Sequence, residues 1–159
     1  LTTTIILDTE SDGLLDEATQ LWCICLMDVQ KKYVEKFYGK RLIEGLDRIM
    51  SADTLIAHNL IKHDIPLIMK LYPERKFKGK KIIDTLLLSQ LLNPDRWGGH
   101  GLEAWGERAG IPKPPIDDWS TFSMDKVERC AEDVKINKWT YDGLIKEAGV
   151  TVEGVEVYG

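Results

Sequence analysis

Residues 3–7 form an aliphatic and β-branched run that reads as a buried strand ending at Asp8. Ser11-Asp12-Gly13 then turns the chain. Residues 21–27 and 33–38 predict two more strands, joined around Asp28-Val29-Gln30-Lys31, and three consecutive strands with short links favour an antiparallel meander. Helical spacing follows in Leu42, Ile43, Leu46, Ile49 and Met50. Residues 54–57 read as a short apolar strand, and the helix after it carries Ile65, Leu67, Ile68 and Leu71. Another strand is expected at 81–83 and another helix at 85–92. Residues 93–99, with Pro94, Gly98 and Gly99, break the pattern before a short helix at 102–109 that Gly110 ends. Residues 111–118, with three prolines, resemble a linker held inside the domain. Ser123 suits an N-cap with Asp125 in the first turn, and Met124, Val127, Ala131 and Val134 form the apolar stripe of a long helix ending near Gly149. The expected fold class is α/β: a mixed five-stranded sheet, three antiparallel strands then parallel additions, flanked by helices. Residues 1–149 would form the domain and 150–159 a C-terminal tail or small strand.

Four acids sit at the ends of these elements or on them: Asp8 and Glu10 after the first strand, Asp64 near a helix start, and Asp133 on the last helix. Asp8 and Glu10 are two apart, so extended backbone points both carboxylates to one side. Each acid also has a plain alternative: a polar turn for the first pair, an N-cap for Asp64, a solvated helix face for Asp133. Against that last alternative, Asp125, Arg129 and Asp133 recur at four-residue spacing and share a face. Four converging carboxylates cannot all remain ionised without cations between them, and hard oxygen ligands suit Mg²⁺ or Mn²⁺. The chemistry this suggests is two-metal phosphodiester cleavage.

Composition narrows this modestly. A chain of 159 residues with 43% hydrophobic and 30% charged residues fits one globular domain. It holds no run long enough to span a membrane and no secretion-type leader. The net charge of −5 runs against extended duplex tracking and favours short contacts with a strand end. Positive charge is clustered in Arg75, Lys76, Lys78, Lys80 and Lys81 and in Lys135 and Lys138, where a solvated surface is the simpler reading for the first run. Cys23 and Cys25 share one strand face; with only three cysteines there is no second pair to complete a zinc site, and buried reduced thiols are expected.

In its spaced motifs the sequence resembles the proofreading 3′–5′ exonucleases of the DEDD superfamily, on an RNase H-like fold, and most of all the exonuclease domain of phage-type family A DNA polymerases. The motifs are Asp8-Thr9-Glu10 with Gly13-Leu14-Leu15, then His58-Asn59 with Asp64-Ile65-Pro66-Leu67, then Asp133; Ile83-Asp84-Thr85-Leu86 and residues 99–106 add to the likeness. It runs from about residue 4 to about residue 145. The resemblance implies two cations, Mg²⁺ or Mn²⁺, with Asp8 bridging, Glu10 and Asp133 completing one site, and Asp64 supporting the second through water. It implies substrate contacts from Thr9, His58 and Asn59, with Asn59 bonding the terminal nucleotide. Leu14 or Leu15 would wedge against the last bases, a plain core role being the alternative. It further implies single-stranded DNA 3′ ends as substrate, a monomer, no membrane, a polymerase acting in trans as a partner, and a cytoplasmic, phage-encoded setting in a bacterial host.

One position departs from the family. Its members carry Tyr four residues, or His five residues, before the last Asp; here Arg129 and Glu128 stand there. No His follows His100, and Tyr141 lies beyond Asp133. With a pKa above about 12, Arg129 cannot act as an ordinary general base, but it can act electrostatically. Glu128 points roughly 100° away from it around the helix. His100 is a further candidate for water or phosphate contact, beside an ordinary helix-start role. The expectation is an active arginine variant. A non-catalytic metal- and strand-end-binding module and an exoribonuclease are the alternatives.

Overall fold

A computed structural model describes residues 2–111, 113 and 115–158. Pro112 and Pro114 of the proline-rich stretch lie outside the described residues. Strands β1 (Thr4–Ser11), β2 (Leu21–Asp28) and β3 (Glu35–Tyr38) form the expected antiparallel meander. Helix α1 (Leu42–Ser51) leads to β4 (Thr54–Ala57), and a single π-helical turn, Leu60–Asp64, leads to α2 (Ile65–Leu71). Next come β5 (Lys81–Asp84), α3 (Thr85–Leu92), α4 (Leu102–Ala109), α5 (Met124–Ala148) and β6 (Val155–Glu156). The sheet order is β3-β2-β1-β4-β5-β6, with β4 and β5 parallel to β1.

The sheet therefore has six strands, not five. The added one, β6, pairs antiparallel with β5 through Lys81 and Ile82. Gly154 lets it approach, because a Cβ there would lie 2.9 Å from the Ile82 nitrogen. Tyr158 then places its ring 6.1 Å from that of Phe77, so this end of the chain is docked on the sheet edge.

Period-two alternation splits the core into two layers. Ile5, Leu7, Ile24, Leu26 and Leu55 face α1 and α2, together with Leu46, Ile49, Ile65 and Ile68. Ile6, Cys23, Cys25, Met27 and Ile56 face α5, against Val127, Cys130, Ala131 and Val134. Asp8 and Glu10 continue the Ile6 series and so belong to the α5 face.

The first strand does not end at Asp8. It runs on to Ser11, because β2 keeps pairing with it through Glu10 opposite Cys23 and Ser11 opposite Leu21. Its other neighbour stops earlier: β4 pairs only with Thr4, Ile5 and Ile6. Residues 8–11 thus project past the carboxyl end of β4, where an α/β sheet leaves a crevice for ligands.

Candidate active site

Two of the acids are fixed by β1, where extended backbone puts Asp8 and Glu10 on one face. A carboxylate oxygen from each, and the Cys130 sulfur above them, lie within 4.8 Å of one another. Asp133 comes from α5, within the stretch Val127–Val134 that packs on β1 and β2, and is 5% exposed. The solvated face considered for Asp133 is not where it lies: its side chain turns inward, beside Asp8.

Asp64 arrives from the far layer. It ends the π-helical turn and precedes Pro66, which occupies the first turn of α2, where its missing N–H goes unneeded. Its carboxylate does not cap the helix. Instead Thr9 Oγ1 donates to Asp64 Oδ1 at 2.7 Å, and Asp64 is 1% exposed. Thr9 points to the α2 side of β1 while its neighbours point to the α5 side, so a single strand holds acids from both layers.

The turn that delivers Asp64 is itself held by Asp84, at the end of β5. Asp84 Oδ1 accepts from the backbone nitrogens of Asn59 at 2.9 Å and Leu86 at 3.0 Å, and Oδ2 accepts from Ile61 N at 3.1 Å. Asn59 adopts left-handed backbone (φ 67°, ψ 34°), which asparagine tolerates better than most residues. π-Helical turns occur often at functional sites.

The electrostatics match a site built for cations. Burial is the largest cause that raises the Asp8 carboxyl well above its usual range, followed by the charges of Asp133, Glu10 and Asp64 and a hydrogen bond with Asp133. Burial and then Asp133 push Glu10 up to about 9, against a smaller lowering by Arg129. Burial raises Asp64 to about 7, opposed by the Thr9 hydrogen bond. Asp8 Oδ2 is buried with no donor among the described residues. An acceptor left in that state, among carboxylates that repel one another, fits a hard divalent cation. A cationic side chain already approaches: Lys113 Nζ lies 2.9 Å from Asp133 Oδ1.

A cleft of about 310 Å³ opens beside Glu10, lined also by Ser11, Gly13, Leu14, Glu17, His63 and Trp119. Leu14 is 75% exposed there, whereas Leu15 packs against the core. Trp119 is fixed from below: its carbonyl accepts from Trp22 Nε1 at 2.8 Å, and the ammonium of Lys126 and the guanidinium of Arg129 lie 5.9 and 5.8 Å from its ring.

The remaining residues marked in the sequence fall around this centre. Arg129 is part-buried on α5, close enough to Glu10 to affect its ionisation. Glu128 pairs with Lys36 on β3 at 2.7 Å, pointing away, as the helical offset required. Asn59 stays partly exposed. Both ring nitrogens of His58 are engaged within the protein. Nε2 faces the His100 carbonyl at 2.7 Å and must donate; Nδ1 then accepts from Thr85 Oγ1, which in turn accepts from Asn137. His100 is likewise engaged, with Nε2 at 3.1 Å from the Pro94 carbonyl and Nδ1 at 2.7 Å from Ser89 Oγ. Both rings are thus held by hydrogen bonds within the protein, through Thr85, Ser89 and the His100 and Pro94 carbonyls.

No family model matches the chain. The DNA-directed DNA polymerase of Escherichia phage T7 is 24% identical over an alignment of 187 residues that covers 90% of this chain and 27% of the polymerase. The chain thus spans about a quarter of the length of that relative. Over that stretch the chain is similar in sequence to part of the phage polymerase. Its RNase H-like fold is shared with Brucella melitensis NrnC bound to pGG, at a TM-score of 0.66, 20% identity, 93% of this chain and 74% of that one. Escherichia coli RNase D, an exoribonuclease involved in structured RNA processing, gives a TM-score of 0.63 at 20% identity, covering 93% of this chain and 40% of its own.

Local pattern in the sequence passed over His63, Trp119, Lys113, Cys130 and the bracing role of Asp84. His63 had the visible signal of standing next to Asp64. Trp119 and Lys113 had none, because the proline-rich stretch that brings them in carries no periodicity.

Proposed function

We propose that this chain is a divalent-metal-dependent 3′–5′ exonuclease that releases nucleoside 5′-monophosphates from DNA 3′ ends, with single strands preferred. The convergence of Asp8, Glu10, Asp64 and Asp133 around an orphaned carboxylate oxygen is the observation that carries this reading. Brucella melitensis NrnC has been solved with bound Mg²⁺, which supports a divalent cation in this fold.

Asp8 would hold both ions, Glu10 and Asp133 would complete one position, and Asp64 would support the other. Such ions would supply Lewis acidity, lowering the pKa of a bound water towards about 7. The chain's own residues do the rest. Thr9 fixes the Asp64 carboxylate, so Asp64 loses no rotamer freedom on engaging a ligand. Arg129 places a permanent positive charge beside Glu10, suited to hold the non-bridging oxygens of a scissile phosphate. Leu14 and Trp119 flank the cleft next to Glu10, which suits a terminal base stacked on the indole. Leu14, rather than Leu15, is the wedge. With no Tyr or His at the usual offset from Asp133, the surrounding carboxylates are the groups that would accept a proton from a water activated by bound cations.

The test is gel analysis of a 5′-labelled single-stranded DNA, beside an RNA strand of the same sequence, with Mg²⁺, Mn²⁺ or EDTA. A ladder shortening from the 3′ end, lost in EDTA and in Asp8→Ala, supports the nuclease; loss in Arg129→Ala makes that arginine a working part. Faster RNA cleavage moves the assignment to an exoribonuclease. Strand binding without cleavage under either ion removes the enzyme reading.

A further inference from the structure

The three cysteines of the chain come from places that local sequence does not connect. Cys23 and Cys25 lie on the α5 face of β2, and Cys130 descends from α5 onto them. All three are free and 0% exposed, and their sulfurs lie within 4.8 Å of one another. Ordinary core thiols are scattered as small apolar residues. Here all three of the chain's cysteines meet at one point.

We propose that Cys23, Cys25 and Cys130 form a binding site for a single thiophilic d¹⁰ cation of the Zn²⁺ class, separate from the hard-cation position of the carboxylates. Three thiolates from two rigid elements give most of a tetrahedral Zn²⁺ set. Cys130 also belongs to a second group, with carboxylate oxygens of Asp8 and Glu10, so a water on that side can serve as the fourth ligand. On binding, the three thiols release three protons to solvent and form three metal–sulfur bonds, with that water completing the shell; no redox partner is needed. Asp8 and Glu10 are only part-buried, so the ion has an entrance on the carboxylate side. Ligand softness separates the two positions: sulfur selects Zn²⁺ or Cd²⁺, and the all-oxygen set selects Mg²⁺ or Mn²⁺.

The site also places its ion at a strategic joint. Cys130 Sγ lies 3.3 Å from the Asp8 carbonyl oxygen, and Cys25 Sγ lies 3.6 Å from the Val127 carbonyl oxygen. A cation clasping β2 to α5 would therefore tie down the helix that carries Arg129 and Asp133.

Cd²⁺ is the probe, because its bonds to sulfur give an ultraviolet charge-transfer band that bonds to oxygen do not. Reduced full-length protein is titrated with Cd²⁺, alongside Cys130→Ser, Cys130→Ala and Cys23→Ser, each checked for folding by circular dichroism. The wild type should saturate at one Cd²⁺ per chain, and equimolar Zn²⁺ should bleach the band. Each folded variant should bind at least about tenfold more weakly, the lower end of what loss of even an outer partner costs a metal site. Absence of a saturable band in the wild type overturns the proposal. So does undiminished affinity in the Cys130 variants, which would leave only the β2 pair as ligands. No nuclease assay enters the readout, so failure here leaves the exonuclease reading untouched, and the reverse also holds.

Discussion

Thr9 Oγ1 and Asp64 Oδ1 are joined by a buried 2.7 Å hydrogen bond across 55 residues of sequence. It links the strand that bears Asp8 and Glu10 to the turn that bears Asp64. Thr9→Val keeps the shape and deletes the donor. It should destabilise the metal-free protein by about 1–3 kcal/mol, the cost of leaving a buried acceptor unsatisfied. Urea unfolding in EDTA measures this. An unchanged midpoint would mean that Asp64 finds another partner.

Asp84 satisfies three backbone N–H groups at once. Asp84→Ala should cost about 2–4 kcal/mol, combining a lost helix cap with lost bonds to a charged acceptor. Because those bonds shape the turn after Asn59, activity should fall further than the loss of folded protein explains. Comparing rate per folded molecule with the unfolding midpoint separates the two effects.

The carboxylate cluster should give metal-free protein an inverted pH response. Folding raises Glu10 from 4.5 to about 9 and Asp64 from 3.8 to about 7. The folded state then retains protons that the unfolded chain has already released, so stability is highest below about pH 4 for these groups and falls as pH rises towards 9. Melting temperatures in EDTA should decline across that window. Added Mg²⁺ should recover the loss, most at the alkaline end, where no protons compete for the oxygens. Asp8→Asn should flatten the decline in EDTA while abolishing cleavage.

Lys113 touches Asp133 where a cation is expected. Lys113→Met should lower metal-free stability by about 1–3 kcal/mol, less than for a fully buried pair because the lysine keeps some exposure. It should also tighten Mn²⁺ binding in calorimetry, since a competing charge is gone. Weaker Mn²⁺ binding would instead show that Lys113 helps to position Asp133.

Trp119 is held by contacts within the protein, from Trp22 and Lys126. Trp119→Ala should weaken binding of a single-stranded oligonucleotide by about 1–3 kcal/mol, the value of one stacked base, with little change in folding stability. Fluorescence anisotropy in Ca²⁺, a hard cation used to hold the complex, gives the affinity.

Local chemistry determined a great deal of this protein. Period-two alternation set the strands, and it alone put Asp8 and Glu10 on one face, since side-chain direction along a strand depends only on parity. Helical periodicity found α1, α3 and α5, and the order of strands and helices gave the mixed sheet. What local pattern could not carry was how far neighbouring elements overlap. The length of β1 was decided by β2, which pairs past the end of β4 and leaves Glu10 in a strand at the mouth of a crevice. The added strand β6 needed the free edge of β5 and a glycine against Ile82. Asp133 was legible as a helix residue, but its burial depended on α5 lying across β1 and β2. The Thr9–Asp64 bond, the bonds from Asn59 and Ile61 to Asp84, the docking of Trp119 and the meeting of Cys130 with Cys23 and Cys25 all join residues distant in sequence. Such contacts follow from chain closure over many elements, and no local period encodes them.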